Sequence, residues 1–306
     1  MDASYGRNVL APAIALVLQI TIGLCNNILI ISAIFYDSIR QKNLSNSNKI
    51  ILCLNVWDVS YFVLICVALA DHFLCRGDSS TYVLSFIYTI LLLYNISSCA
   101  WMTAGLGVFY FIQISQVRLF TWVKTHISSI VPWTLLVLQV MSFISGFSSS
   151  FLLIFPRASS RNITHSPPCA TDVLAENSPA LVNAAIAATF IPFIIKVIST
   201  VCTLWTLKRH SQKMVRNMET VDNGRLTSYE RVVRRMTYSF SFYVIYYTLM
   251  LIFYSFVIAQ IESGFLVTLL LLSSFPLLQA ALVILSNPRF KDAWKEMLHS
   301  LAMWKG

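Results

Sequence analysis

Charge is what this chain has least of. Only 11% of its 306 residues are charged, against about 25% in an ordinary soluble domain. With 57% hydrophobic residues, a water-soluble fold could not hide the apolar surface, whereas a lipid-embedded one has no need to. Metal and catalytic chemistry are equally sparse. The five histidines (His72, His126, His165, His210, His299) are scattered over loops and tail, and none stands at metal-ligand spacing from a cysteine or carboxylate. No Walker loop, GxSxG elbow or HExxH occurs. Ser145-Gly146 has no nearby intramembrane histidine, which excludes a rhomboid-like protease. Asp58 is the one acid deep in a span, where an intramembrane aspartyl protease needs two. The last span has no lysine for a retinal Schiff base. The expectation is no enzyme, no metal and no cofactor.

What the chain does have is long apolar runs. A bilayer core ~30 Å thick takes about 20 mostly apolar helical residues, and seven stretches qualify: Leu10–Phe35, Ile50–Ala70, Tyr82–Ile114, Ile127–Phe155, Leu181–Leu207, Met236–Ala259 and Phe265–Leu285. In lipid the backbone must satisfy its own hydrogen bonds, so these are helices. The third, fourth and fifth exceed the need and are free to tilt or project. No internal repeat or long linker divides the chain, so one all-α membrane domain over residues 1–306 is expected, a seven-helix transmembrane bundle. The first apolar run is too long for a signal-peptide core and lacks a small-residue cleavage pattern, so it reads as a signal anchor.

Lysine and arginine set the orientation. Arg40, Lys42 and Lys49 fall in the first loop, Arg118 and Lys124 in the third, and Lys208 to Arg235 in the fifth; Arg289, Lys291, Lys295 and Lys305 fall in the tail. With seven spans all lie on one side. The other side carries only Arg7, Arg76, Arg157 and Arg161. The N-terminus is then outside and the C-terminus cytoplasmic. The net charge of +9 becomes a topology signal that calls for no nucleic acid. The sequon at Asn162 falls in the longest outer loop, where a glycan can be added; those at Asn43 and Asn95 fall in an inner loop and inside a span, and are expected to be silent.

Of seven cysteines, Cys25, Cys53, Cys66, Cys99 and Cys202 lie within spans and read as packing residues. Cys75 and Cys169 are the two in outer loops, an oxidising compartment, so a disulfide between them is open. After Asn287-Pro288 breaks the last span, Phe290, Ala293, Trp294, Met297, Leu298 and Leu301 recur at helical spacing with basic residues between them. This pattern predicts an amphipathic helix on the inner membrane face.

Two charges lie within spans, and such charges are costly by at least ~2.5 kcal/mol and are functional candidates. Asp58 shares a helix face with Asn55. It reads either as an ion-binding or hydrogen-bonded switch, or as a structural clasp to Asn26 or Asn27 of the first span. Lys196, one turn past Pro192, reads either as the counter-ion of an acidic ligand or as a group paired to a polar neighbour or facing a wet cavity.

The ends of the spans carry a resemblance. The third span reads Trp101-Met-Thr-Ala-Gly-Leu106-Gly-Val108-Phe109-Tyr110-Phe111-Ile-Gln113-Ile114-Ser115. It is similar to W-x-x-T-x-L-x-V-F-Y-F-L-K-I-A of the type 2 (bitter) taste receptors, with Gln113 in place of the usual lysine. Phe120-Thr-Trp122-Val-Lys124 follows, like F-L-W-L-K. Pro192-Phe193 and the run Leu207 to Met214, with His210 and Lys213, are similar to P-F … S-L-x-x-H-x-x-K-M. Phe242-Tyr243-Val244-Ile245-Tyr246-Tyr247 resembles L-Y-A-I-Y-F, and Leu285-Ser286-Asn287-Pro288-Arg289-Phe290-Lys291 resembles L-x-N-x-K-L-K. Asn26 matches the first-span asparagine, Leu44-Ser45 the first-loop pair, and Asn162 the family's glycosylation site. The chain departs from the family at Asp58, where arginine is usual, at Gln279-Ala280 for His-Ser, and at Glu230 for histidine. Leu92 stands for the family's tryptophan and Ile96 for its asparagine, with Asn95 one step off.

The resemblance implies a receptor that takes small organic agonists from outside, at the plasma membrane, and passes the signal to a heterotrimeric G protein of the gustducin or inhibitory type. Candidate ligand contacts are Leu92, Asn95, Ile96, Lys196, Tyr243, Tyr247 and Leu269. Candidate coupling and switch residues are Asn26, Asp58, Phe109, Tyr110, Phe111, Gln113, His210, Lys213, Arg235 and Gln279. An aromatic lock at Phe109-Tyr110-Phe111 is expected to break on activation. A vomeronasal pheromone-type receptor and a small transporter are the alternatives, and oligomerisation is left open.

Overall fold

The computed structural model describes residues 3–41, 44–74, 81–115, 120–158, 178–217, 237, 240–249, 252, 264–286, 290–292 and 294–295, and these are helical except at 44–45, 115 and 126. The helices are α1 (Ala3–Gln41), α2 (Asn46–Leu74), α3 (Thr81–Ile114), the short α4 (Thr121–Thr125), α5 (Ile127–Ala158), α6 (Ser178–Asn217), α7 (Phe240–Leu249) and α8 (Gly264–Ser286). Six contain stretches long and apolar enough to cross a membrane: Leu10–Arg40, Asn46–Ala70, Ile87–Ile114, Ile127–Ser150, Asn183–Arg209 and Leu266–Leu285. They match six of the seven spans read from the sequence. Within the remaining one, Met236–Ala259, α7 accounts for ten residues, ~15 Å of helix and half of a bilayer core.

Burial follows the position of each helix in the bundle. α3 is the axis: it packs against α2, α5 and α6 and is the most buried span, while α5 is the least. The outward face of α5, with Trp133, Val137, Val140, Phe143, Ile144 and Phe147, is exposed and apolar. Such a surface is stable against lipid and not against water. The chain is therefore a multi-pass membrane protein. α8 closes the bundle against α1. Two apolar layers fill the interior. One gathers Leu16, Ile20, Tyr61, Ile65, Leu92 and Leu269. The other gathers Ile30, Ile34, Leu106, Phe109, Ala280 and Phe290. The second lies toward the basic end, where Arg40, Lys49, Lys124, Lys208, Arg209, Lys291 and Lys295 follow or open their helices.

Lipid supplies no hydrophobic drive between helices, so small residues and polar pairs carry the packing. Between α3 and α5, a Cβ on Gly146 would stand 2.7 Å from Tyr94 Cα, so the two backbones approach as only glycine permits. Beside it, Ser97 and Ser145 share a hydrogen bond. Trp101 Nε1 donates to Ser145 Oγ at 3.3 Å, and the Tyr94 hydroxyl donates to Gln139 Oε1 at 2.8 Å. The Ser145-Gly146 pair is thus a packing seam.

The tail departs from a purely surface-lying helix. Phe290 is buried in the second apolar layer, and Trp294 Nε1 donates to Asn26 Oδ1 of α1 at 2.8 Å. Lys291 and Lys295 point to the exterior. The described part, helical at 290–292 and 294–295, keeps the expected amphipathic division but is pinned to the bundle as well.

Candidate functional site

Among the described residues two cavities adjoin along the bundle axis, apart from a third of about 260 Å³ between α3 and α5. The larger, about 360 Å³, opens at the basic end. Its mouth is made by Ser47 and Asn48 at the start of α2, Tyr110 and Ile114 at the end of α3, and Phe290. Its depth is reached by Thr103, Gly107, Lys196, Thr200, Tyr243 and Gln279. The smaller, about 50 Å³, is deeper in the bundle and is bordered by Tyr61, Ile96, Cys99, Thr189, Tyr247 and Leu272. Tyr243, Tyr246 and Phe275 line both, so these three rings form the partition between them.

The partition is an ordered aromatic layer. Tyr243 meets Phe275 edge-on at 5.5 Å and Tyr246 meets it at 5.7 Å. The Tyr246 hydroxyl donates to Leu271 O at 2.9 Å. On the other flank, Phe193, the residue after Pro192, stacks on Tyr247 at 4.0 Å and on Tyr243 at 6.0 Å. The Tyr247 hydroxyl donates to Ile186 O at 3.3 Å. α7 is thereby tied to both α6 and α8 through rings. Each ring pair adds about 0.5–1.5 kcal/mol beyond its buried area.

The ligand candidates divide among three places. Ile96, Tyr243 and Tyr247 come together at the smaller cavity. Lys196 lies instead in the larger one, across the partition. Leu92 and Leu269 are fully buried in the first apolar layer. Asn95 donates to Leu91 O of its own helix at 2.8 Å, and its buried Oδ1 has no partner among the described residues.

The switch candidates spread similarly. Tyr110 Oη and Ser47 Oγ share a hydrogen bond of 3.1 Å, joining α3 to α2 at the cavity mouth. Phe109 is buried against the second layer, and Phe111 packs edge-on against Phe120 at 5.7 Å. The three aromatics therefore face different neighbours. Gln113 is exposed at the end of α3, and Gln279 lines the larger cavity. His210 and Lys213 fall within α6, but their side chains lie outside the described ones; Arg235, Asn162, Cys75 and Cys169 lie outside the described residues altogether.

The clasp weighed for Asp58 is not the one that forms. Asn26 accepts from Trp294, and Asn27 donates to Gly23 O of its own helix at 2.9 Å. Asp58 Oδ1 accepts instead from Cys99 Sγ on α3 at 3.0 Å. A span cysteine expected only to pack is thus a hydrogen-bond donor, to a partner forty-one residues away that its own sequence neighbourhood could not announce. Tyr246, Phe275 and Trp294 were also missed as site residues. The i, i+3 spacing of Tyr243 and Tyr246 was the one readable hint that both face inward.

Comparison with known proteins agrees with this architecture. The family model for the taste receptor protein (TAS2R) matches residues 7–302. Taste receptor type 2 member 1 of Gorilla gorilla gorilla is 26% identical, covering 93% of this chain and 94% of the relative. Taste receptor type 2 member 40 of Gallus gallus is 24% identical, covering 92% of each. Taste receptor type 2 member 4 of Homo sapiens is 23% identical, covering 93% of this chain and 95% of the relative. The vomeronasal-type and transporter readings give way to a match of that extent. By this near full-length match and its apolar membrane-crossing helices, the chain belongs to the taste receptor (TAS2R) family and is a chemosensory G-protein-coupled receptor rather than an enzyme.

Proposed function

We propose that the chain detects small bitter organic molecules from outside the cell and activates a gustducin- or inhibitory-type G protein inside. The observation that carries this reading is the aromatic partition shared by the two cavities. The smaller cavity, at about 50 Å³, is far below the ~300 Å³ of a ligand pocket. An agonist entering past Ile96 and Tyr247 must displace Tyr243, Tyr246 and Phe275. Those same rings wall the cavity at the basic end, so agonist binding and the opening of that cavity are coupled through one layer. A ligand shifts the receptor only through its differential affinity for the open arrangement, and ring displacement supplies that difference.

The rest of the reading completes the receptor. Residues 236–259 provide the seventh crossing, and residues 1–306 form one domain in the plasma membrane. The lysine and arginine bias supports a cytoplasmic basic end, so the cavity bordered by Tyr110 receives the G-protein α-subunit. Lys208, Arg209, His210, Lys213 and Arg235 suit that partner and anionic inner-leaflet lipid. Asn162 is the glycan acceptor in this reading, Cys75 and Cys169 are the pair open to an outer disulfide, and the tail lies along the inner face with Phe290 and Trp294 pinning it to the bundle.

The test is intracellular calcium in cells expressing the chain with a chimeric gustducin-type G protein, challenged with a panel of bitter compounds. A dose-dependent response that shifts to higher agonist concentration in Tyr247→Ala or Ile96→Trp supports the reading. Silence across the panel, with surface delivery confirmed through the Asn162 glycan, rejects a bitter agonist.

A further inference from the structure

The smaller cavity borders a buried acid. Cys99 lines it, and the Cys99 thiol donates to Asp58 Oδ1 at 3.0 Å. The Asp58 carboxyl therefore stands one side chain behind the wall. It is 1% exposed, and its Oδ2 has no partner among the described residues. No described lining residue of this cavity is cationic. Lys196 lies across the aromatic partition, in the other cavity. An intramembrane charge without a counter-charge is costly.

The polar lining is rich in acceptors. Tyr61, one turn after Asp58 on α2, lines the cavity at 1% exposure, and its hydroxyl has no partner among the described residues. Buried polar groups are almost always paired. Three other lining hydroxyls are already committed as donors: Tyr246 to Leu271 O, Tyr247 to Ile186 O and Thr189 to Ala185 O. A hydroxyl that has given its proton keeps lone pairs free to accept. Asn55 Oδ1, one turn before Asp58, and Asn95 Oδ1, one turn before Cys99, also lack donors among the described residues. Five rings complete the walls: Tyr61, Tyr243, Tyr246, Tyr247 and Phe275. The face of such a ring attracts a cation. An anion would meet the carboxyl with like charge, and a neutral group would leave it uncompensated. An ammonium brings protons for the oxygens, a charge for the carboxyl and a cation for the rings. At about 50 Å³ the space takes a headgroup rather than a whole ligand.

We propose that the smaller cavity selects a cationic amine as its ligand, with the ammonium between Tyr61 Oη and the Cys99–Asp58 pair. The apolar body of the amine takes the space opened when Tyr243, Tyr246 and Phe275 are displaced. This preference rests on the reading of the smaller cavity as the agonist site. It turns on Asp58, a position at which this chain departs from the arginine usual in its family.

The full chain, purified into phosphatidylcholine nanodiscs, is titrated at neutral pH with 2-naphthylmethylamine and with its neutral isostere 2-naphthylmethanol. Binding is read by saturation-transfer NMR against empty discs. The amine is expected to bind at least about ten-fold more tightly, as a hydrogen-bonded charge implies. Asp58→Asn, which keeps an acceptor oxygen and removes the charge, abolishes that preference. Tyr61→Phe weakens the amine at least about three-fold. Ile96→Trp, which narrows the cavity, weakens both probes. Equal affinity of the wild-type chain for the two probes, or no binding of either, overturns the proposal even if the variants fail to fold. So does an unchanged preference in Asp58→Asn, or unchanged amine binding in Tyr61→Phe or Ile96→Trp. The calcium assay separates this preference from the receptor reading. Responses confined to uncharged compounds overturn the preference and leave the receptor reading standing. Amine-selective binding with a silent panel upholds the preference and rejects the bitter-agonist reading.

Discussion

Gly146 offers the sharpest test of the helix packing, because a second glycine on the same interface should behave differently. A methyl group at Gly146 would meet backbone: Tyr94 Cα at 2.7 Å, Tyr94 N at 2.9 Å and the Leu93 carbonyl carbon at 3.2 Å. The first is about 0.8 Å inside the ~3.5 Å optimum for carbon pairs. Backbone cannot rotate aside, so α3 and α5 must separate. Overpacking of this kind costs about 1–3 kcal/mol. Separation also strains the Ser97–Ser145, Trp101–Ser145 and Tyr94–Gln139 bonds, each worth ~0.6 kcal/mol in a membrane protein. Gly146→Ala is therefore expected to cost about 2–4 kcal/mol. At roughly 2–4 °C per kcal/mol, the melting temperature in detergent falls by about 4–16 °C. At Gly105 of α3 a methyl would meet only the Leu138 side chain of α5, which can change rotamer, so Gly105→Ala should cost less than about 1.5 kcal/mol. The assay is thermal unfolding of the two purified variants beside the wild type, with surface expression as a cellular check. Equal melting temperatures for the two variants would refute the close backbone approach of α3 and α5.

Three other perturbations follow from single contacts. Tyr110→Phe removes the hydroxyl bond to Ser47; at ~0.6 kcal/mol, basal signalling should rise about three-fold, Ser47→Ala should match it, and the double variant should add nothing further. Trp294→Phe leaves Asn26 Oδ1 without its donor at a cost of about 1 kcal/mol, and a double-mutant cycle with Asn26→Ala should show a coupling of at least about 0.5 kcal/mol in thermal stability. Asp58 is buried with one thiol donor and a second oxygen that has none among the described residues. Asp58→Asn, which replaces a buried carboxyl that has no counter-charge among the described residues, is expected to raise the melting temperature, and a fall would show that a cation balances it.

The sequence by itself determined the environment, six of the spans and the family. Each of these is written in local composition: a run of twenty apolar residues is a crossing whatever it packs against, and motifs such as Trp101 to Ser115 lie on one helix. It also located Tyr110 at a helix end and Tyr243 and Tyr247 on one segment. Only the tertiary structure decided which helices meet at which depth. Lys196 and Ile96 carry equal claim to a ligand site when read as residues in spans, yet a layer of three rings from two helices separates them. Leu92 and Leu269 read as pocket residues by depth and are packed core because α1 and α2 cover them. Asp58 takes a donor from α3, forty-one residues away, and Asn26 one from the tail, 268 residues away. Hydropathy fixes a residue's depth in the bilayer but not its rotation about the helix axis. That rotation is set by close backbone approaches such as Gly146 against Tyr94, which depend on two helices at once.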